Sequence, residues 1–284
     1  IRPAPGRPLY PDKFFQVGQS LSLRLKNKTA IVKFQLFTNQ VDTRWYNSNL
    51  NINRRYITMT DPSQTGMTIP VFPLQTTVFY PGTTLPLHIF EPRYRQMTAD
   101  ALEGKRQIGM VLLKPGYEEE YYNKPQIYSV GCVGNIEKEI KHPDGKYNFT
   151  LIGLRRFCII SEKEDKAYRQ AEIELLEEKN EQDIIENQPN ECREKLIENF
   201  REFLSFIPED NPQKKEPDWN LGTKLSEFID RFAYQLDLSL EQKQSFLEEQ
   251  DVLKRGEFLH SFLKMKIDLI HLSKKQANHD PRWN

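Results

Sequence analysis

The chain has 284 residues, 38% of them hydrophobic and 28% charged, enough for one large or two modest domains with a real core and a very polar surface. Residues 1–66 carry ten Lys and Arg against three Asp and Glu, and because the whole chain is neutral, residues 67–284 are net acidic by seven charges. An acidic body disfavours nucleic-acid binding, which needs clustered basic groups for phosphate, and no apolar run reaches the roughly 18 residues of a membrane span.

Residues 1–66 open on the proline-rich, basic Arg2-Pro-Ala-Pro-Gly-Arg-Pro8. Thr29–Phe37 has the composition of one strand, and Asn47–Arg55 is polar and irregular. Three readings of this stretch stand: a poorly structured extension, which is the expectation adopted; a basic, acid-poor organelle transit segment with little serine; and a reading frame that starts at Met67.

Residues 67–178 read as strand-rich. Thr68–Leu74 is the first strand, and Pro81-Gly82 is a turn, because proline presets φ and glycine accepts positive φ. Leu85, Leu87 and Ile89 then alternate with Pro86, His88 and Phe90, the period of a strand with one inward face. Glu91-Pro92 starts a helix, with proline tolerated in the first turn and an acid beside the positive end of the dipole. Tyr94, Met97, Ala101 and Leu102 recur at helical spacing up to a closing Gly104.

Ile108–Leu113 and Tyr128–Val133 are further strands, the second ending at a bend on Gly134. Asn135–Lys141 and Tyr147–Leu154 flank Pro143-Asp-Gly145, a hairpin signal, and Arg156–Glu162 and Tyr168–Leu176 complete the set. Seven or so short strands with glycine breaks predict a small closed or nearly closed barrel.

Residues 179–190 form a charged connector, beyond which the apolar period changes from two to about 3.6. Leu196, Phe200, Phe203, Leu204 and Ile207 mark one helix, ended by Pro208. After a loop at Asn211–Trp219, Leu221, Leu225, Phe228, Phe232 and Leu236 mark a second. Ser239 and Gln242 form a capping box for a third, carrying Phe246 and Leu247. Val252, Leu253, Phe258, Leu259, Phe262, Leu263 and Ile267 stripe a fourth, so a small bundle is expected over 191–272, with a tail at 273–284.

Taken together, Ile69-Pro-Val-Phe-Pro-Leu74, Pro81-Gly82, Leu85-Pro-Leu-His-Ile-Phe-Glu-Pro-Arg-Tyr94, Tyr128-Ser-Val-Gly-Cys-Val-Gly134, Pro143-Asp-Gly145 and Leu151-Ile-Gly-Leu-Arg-Arg-Phe157 resemble, in order, the N-terminal substrate-binding domain of Lon proteases. Leu247-Glu-Glu-Gln-Asp-Val-Leu-Lys-Arg255 resembles that family's helical subdomain, and the likeness covers about 67–272. The resemblance implies an α+β fold, a PUA-like β pseudobarrel at 67–178 followed by a small α-helical bundle. It also marks Pro86, Phe90, Glu91, Arg93, Tyr94, Gly153, Arg155, Arg156 and Phe157 as structural signature residues.

The chemistry of catalysis is missing. There is no GxxxxGK[ST] loop to cradle phosphates and no G-x-S-x-G elbow. Cys132, Cys158 and Cys192 make no CxxC pair and the five histidines no HxxxH, so no metal, cofactor or enzymatic activity is expected. An odd, sparse set of cysteines fits a reducing, cytoplasmic setting.

A binding surface is the better expectation. Phe79, Tyr80, His88, Tyr117, Tyr121 and Tyr122 are its candidates, since tyrosine-rich loops make low-entropy contacts with peptides. Core filling competes for Phe79 and Phe90. Glu91 is expected to pair with Arg155 or Arg156 in a buried bridge. The function expected is recognition of unfolded or exposed polypeptide, or of a protease or chaperone partner. The alternatives are a subunit of a separate ATP-dependent protease and a PUA-like nucleic-acid binder.

Overall fold

The computed structural model describes residues 66–117, 124–185, 189–208, 219 and 224–278, and the backbone of 20–22 and 33–35. Those last two stretches, β1 (Ser20–Ser22) and β2 (Lys33–Gln35), pair antiparallel. The remainder of the 1–65 extension, Tyr121, Tyr122 and Leu221 lie outside the described residues.

The main sheet has six strands: β3 (Met67–Leu74), β4 (Thr84–Ile89), β5 (Gln107–Leu112), β6 (Val130–Lys141), β7 (Tyr147–Lys163) and β8 (Arg169–Leu175). The expected breaks at Gly134 and before Arg156 do not end strands; they fall inside β6 and inside a 17-residue β7. Gly134 is absorbed as a register shift between Val133 and Gly134. It is glycine for closeness, because a Cβ there would meet Leu151 Cγ at 2.5 Å. Pro143-Asp-Gly145 does turn the β6–β7 hairpin, with Gly145 at φ +82° and its N–H donating to His142 O.

The length of β7 organises the sheet. Its first part pairs with β4 and its last part with β8, while β6 runs along its other edge. Strand β8 also pairs with β3, β3 with β5 in parallel, and β5 with β6. The pairing circuit β7-β6-β5-β3-β8 therefore returns on itself, and among the described strands β4 lies outside it and pairs with β7 alone.

The five circuit strands each supply the small cluster Ile69, Val71, Val111, Val133, Phe157, Ala171 and Ile173. Phe157 is its largest member, and two glycines make room for it. A Cβ on Gly109 or Gly131 would lie 2.9 or 2.7 Å from the Phe157 ring. Native interiors tolerate no such overlap.

Helix α1 (Pro92–Glu103) begins at Glu91-Pro92 and ends at Gly104, as its residues dictate, and buries Tyr94, Met97, Thr98 and Ala101. The helical half comprises α2 (Glu191–Ser205), α3 (Leu225–Gln235), α4 (Leu240–Glu248) and α5 (Val252–Asn278). The Ser239–Gln242 capping box is fully formed on α4.

One apolar cluster runs without interruption from Leu74, Tyr80, Ile108 and Cys132 in the strand half to Phe200, Phe228, Phe232 and Leu263 in the helical half. The 179–190 connector is pinned along this seam. Lys179 N–H donates to Gln250 O and its carbonyl accepts from Val252 N–H, while Glu181 accepts from the Ser226 backbone and hydroxyl. The change of period thus marks a change of secondary structure within a shared core.

Candidate functional site

The residues expected to form a binding surface divide sharply. Phe79 and Tyr80 are 2% and 0% exposed, so both belong to the core. The Tyr80 hydroxyl donates to Lys243 O at 2.9 Å, and its ring meets Phe246 edge-on at 5.4 Å. Burial pushes the Tyr80 hydroxyl well above its usual pKa. Tyr80 therefore joins the two halves, because a phenol can fill an apolar gap and still satisfy one buried carbonyl. Tyr117 is half-buried and Arg155 is partly buried on β7.

The expected bridge between Glu91 and the arginines is also corrected. Glu91 Oε2 pairs with Arg93 at 3.0 Å in a partly exposed contact. Arg156, 1% exposed, instead crosses to the helical half and grips Asp230 of α3 with two hydrogen bonds of 2.7 and 2.8 Å. It also donates to Glu178 and to Leu247 O. Arg255 of α5 completes the cluster, donating to Glu178 at 2.6 Å and lying 3.4 Å from Asp230. Desolvation opposes the Arg156 charge, but Asp230 and Glu178 outweigh it and push its pKa up. Sequence reasoning placed an architectural arginine correctly and chose the wrong acid, since the true partner lies 74 residues away.

Gly153 has an equally architectural reason: a Cβ there would sit 2.1 Å from Tyr80 O. Arg95 reaches from α1 to Asp144 O at the hairpin tip. Arg156 and Gly153 thus sit where elements meet, whereas Pro86 and Phe90 lie at the surface.

What is left at the surface is a sheet face built on β4. Pro86 and His88 point outward while Leu85 and Ile89 are buried, as strand alternation requires. The register aligns His88 with Asn148 of β7, and Asn148 with Ile140 of β6. Asn148 Oδ1 lies 2.5 Å from His88 Nδ1. Phe90, 43% exposed, stacks on His88 at 6.0 Å, and His142 meets His88 at 6.4 Å. Ile140 is 59% exposed.

Pro86, His88, Phe90, Asn148, Thr150 and Ile140 thus share one face, with Glu137 of β6 opposite Thr150 as its charged neighbour. Such a surface favours contact by partial apolar burial with hydrogen-bonding groups close by. Sequence reading found His88 but missed Ile140 and His142. The signal for Ile140 was present, as a lone apolar residue in Lys138-Glu-Ile-Lys141.

A second concavity, about 520 Å³, lies between the start of β3, the end of α1 and Tyr168. There Asp100 accepts from the Tyr168 hydroxyl at 2.7 Å, a bond that holds its carboxyl below the usual range, with Gln96 and Lys166 assisting. Among the described residues, no group of three or more His, Cys, Asp or Glu side chains could hold a metal ion. No described helix is long and apolar enough to cross a membrane.

The profile of the ATP-dependent protease La (LON) substrate-binding domain matches residues 68–265. The Lon protease of Dictyoglomus thermophilum is 29% identical over 213 residues, 74% of this chain and 26% of that protein. The Lon protease of Escherichia coli K12 is 27% identical over 210 residues, again 74% and 26%. The chain thus spans about a quarter of the length of these relatives. In fold it is similar to the crystal structure of a Lon N-terminal domain protein from Xanthomonas campestris, at TM-score 0.51 and 23% identity, covering 69% of this chain and 98% of that one. The N-terminal domain of a Mycobacterium avium complex Lon protease gives TM-score 0.50 at 19% identity, covering 70% and 98%.

Proposed function

We propose that this chain, which belongs to the ATP-dependent protease La (LON) substrate-binding domain family, is a non-catalytic module that recognises unfolded or exposed segments of other polypeptides in the cytoplasm. The observation that carries this reading is the mixed apolar and polar face of Pro86, His88, Phe90, Asn148 and Ile140, where Phe90 is 43% and Ile140 59% exposed. An unfolded chain offers scattered apolar side chains and unpaired backbone, and both match a shallow sheet face better than a deep pocket.

The closed strand circuit with its own small core supports a PUA-like pseudobarrel as the platform. Under this reading the module presents clients to a protease or chaperone. The test is a titration of labelled, reduced and carboxymethylated lactalbumin with the full chain, followed by anisotropy. Saturable binding of this unfolded probe, with native lactalbumin at least tenfold weaker, is expected. Equal binding of both, or of neither, overturns the proposal.

A further inference from the structure

The concavity beside Tyr168 holds a fixed charge that the face on β4 does not use. At about 520 Å³ it has the size of a ligand site and admits an aliphatic side chain with its head group. Among its described lining residues, Asp100 is the only acid and Lys105 the only base. Asp100 is set in place before any ligand arrives. Its Oδ2 accepts from the hydroxyl of buried Tyr168 at 2.7 Å, and its Oδ1 accepts from Gln96 at 2.6 Å. The Tyr168 bond, aided by Gln96 and Lys166, holds the carboxyl below its usual range, so it is ionised at neutral pH. The end of α1 adds to the negative field: Ala101 and Gly104 line the concavity, and the last turn carries no basic residue.

The nearby cations are held differently. Lys105, Lys163 and Lys166 are all exposed. Lys163 donates to the Thr68 hydroxyl at 2.8 Å, and Lys166 meets Asp100 at 3.3 Å with 45% of its side chain exposed. An exposed pair of that kind is weak, because water and salt screen it and ordering the lysine costs entropy. Half-buried Glu172, beside Gly66, is a further acid in the neighbourhood. The rest of the wall includes Met67, Ile69, Pro70 and Ala101, which suit an apolar stem.

We infer that this concavity binds a primary ammonium on an apolar stem, carried by a polypeptide as a lysine side chain or as its N-terminal residue. The ammonium donates to Asp100 in the place that Lys166 holds, and the stem lies on the apolar wall. A carboxylate head would meet the ionised Asp100 instead, and a hydroxyl would bring no charge to it. The site shares no residue with the face on β4 and adds a charge-selective contact to it.

Three probes with one stem test the head group: pentylammonium, pentanol and pentanoate, each titrated into the ¹⁵N-labelled full chain and followed by NMR. Saturable shifts of the Ala101, Gly104 and Gln107 amides by pentylammonium are expected. Pentanol and pentanoate should bind about tenfold more weakly or worse, the worth of one charge-assisted hydrogen bond. Asp100→Asn should erase the preference for the ammonium. Lys166→Met, at an exposed position, should instead tighten pentylammonium severalfold by removing the resident cation. N-acetyl-lysine methylamide and leucine methylamide with a free amine then separate the two sources, lysine side chains and chain N-termini.

Pentanol or pentanoate binding as tightly as pentylammonium, or no shift of these amides by any probe, overturns the inference. So does pentylammonium binding that Lys166→Met weakens, that folded Asp100→Asn leaves unchanged, or that neither amino-acid amide reproduces. The lactalbumin titration reads the face on β4, so failure of that reading and failure of this one are told apart.

Discussion

Replacing Asp230 tests the joint between the two halves most severely. Asp230 is fully buried, and both its oxygens accept from Arg156, with the Arg255 side chain 3.4 Å away. Asp230→Asn keeps the volume and removes the charge, leaving two buried guanidiniums to share Glu178, which is 25% exposed. Breaking one partner of a buried pair typically costs about 3–5 kcal/mol. Glu178 retains part of the compensation, so about 3 kcal/mol is expected, against a total stability on the order of 5–15 kcal/mol.

Urea unfolding by circular dichroism and by fluorescence is the assay. Because Arg156 lies on β7 and Asp230 on α3, helical and strand signals should shift together, in one transition. The double variant Arg156→Met with Asp230→Leu should recover much of the loss, since apolar replacement of a whole buried pair is often near neutral. A change below about 1 kcal/mol in both Asp230→Asn and Asp230→Ala, or a shift confined to one signal, would refute the reasoning.

Gly153→Ala places a methyl 2.1 Å from the Tyr80 carbonyl, and backbone cannot yield as a side chain can, so a loss at or beyond the top of the usual range of about 1–3 kcal/mol is expected in thermal melts. Tyr168→Phe removes the bond that lowers the Asp100 pKa. A depressed carboxyl stabilises the fold above its ordinary value near 4 and loses that contribution as pH falls through the folded value. The variant should therefore cost about 0.5–1.5 kcal/mol at neutral pH and less near pH 3, and an equal or larger cost in acid would contradict it. Cys132 is fully buried and its thiol is pushed up by that burial, so iodoacetamide should label it only after unfolding, whereas half-buried Cys158 and Cys192 react first. Mass spectrometry of tryptic peptides reads the order.

Local chemistry carried much of the fold into the sequence. The Pro143-Asp-Gly145 turn, the Glu91-Pro92 helix start, the Gly104 stop and the Ser239–Gln242 cap are each set within four residues, and each was legible. What was not legible depends on distance. Gly134 looks like a strand breaker in one dimension and proves to be a contact point for Leu151 in three, as Gly153 is for Tyr80. Tyr80 looks like a surface aromatic until the helical half covers it, while core filling was already a reading of Phe79. Arg156 announced a partner but not which acid, because a buried charge takes whichever carboxylate the packing brings to it. Of the candidate face, His88 was readable from alternation, while Ile140 needed the β6–β7 register to place it in the same row.

The central claim is that the face on β4 and its neighbours recognises unfolded polypeptide. It is tested most directly by titrating unfolded lactalbumin against the triple variant His88→Ser, Phe90→Ser, Ile140→Ser and against a control that changes Ile160, Leu269 and Leu272, which are equally exposed elsewhere. The account predicts at least a tenfold loss for the first and wild-type affinity for the second, with both folded by circular dichroism. Wild-type affinity in the first variant, or an equal loss in both, would contradict it.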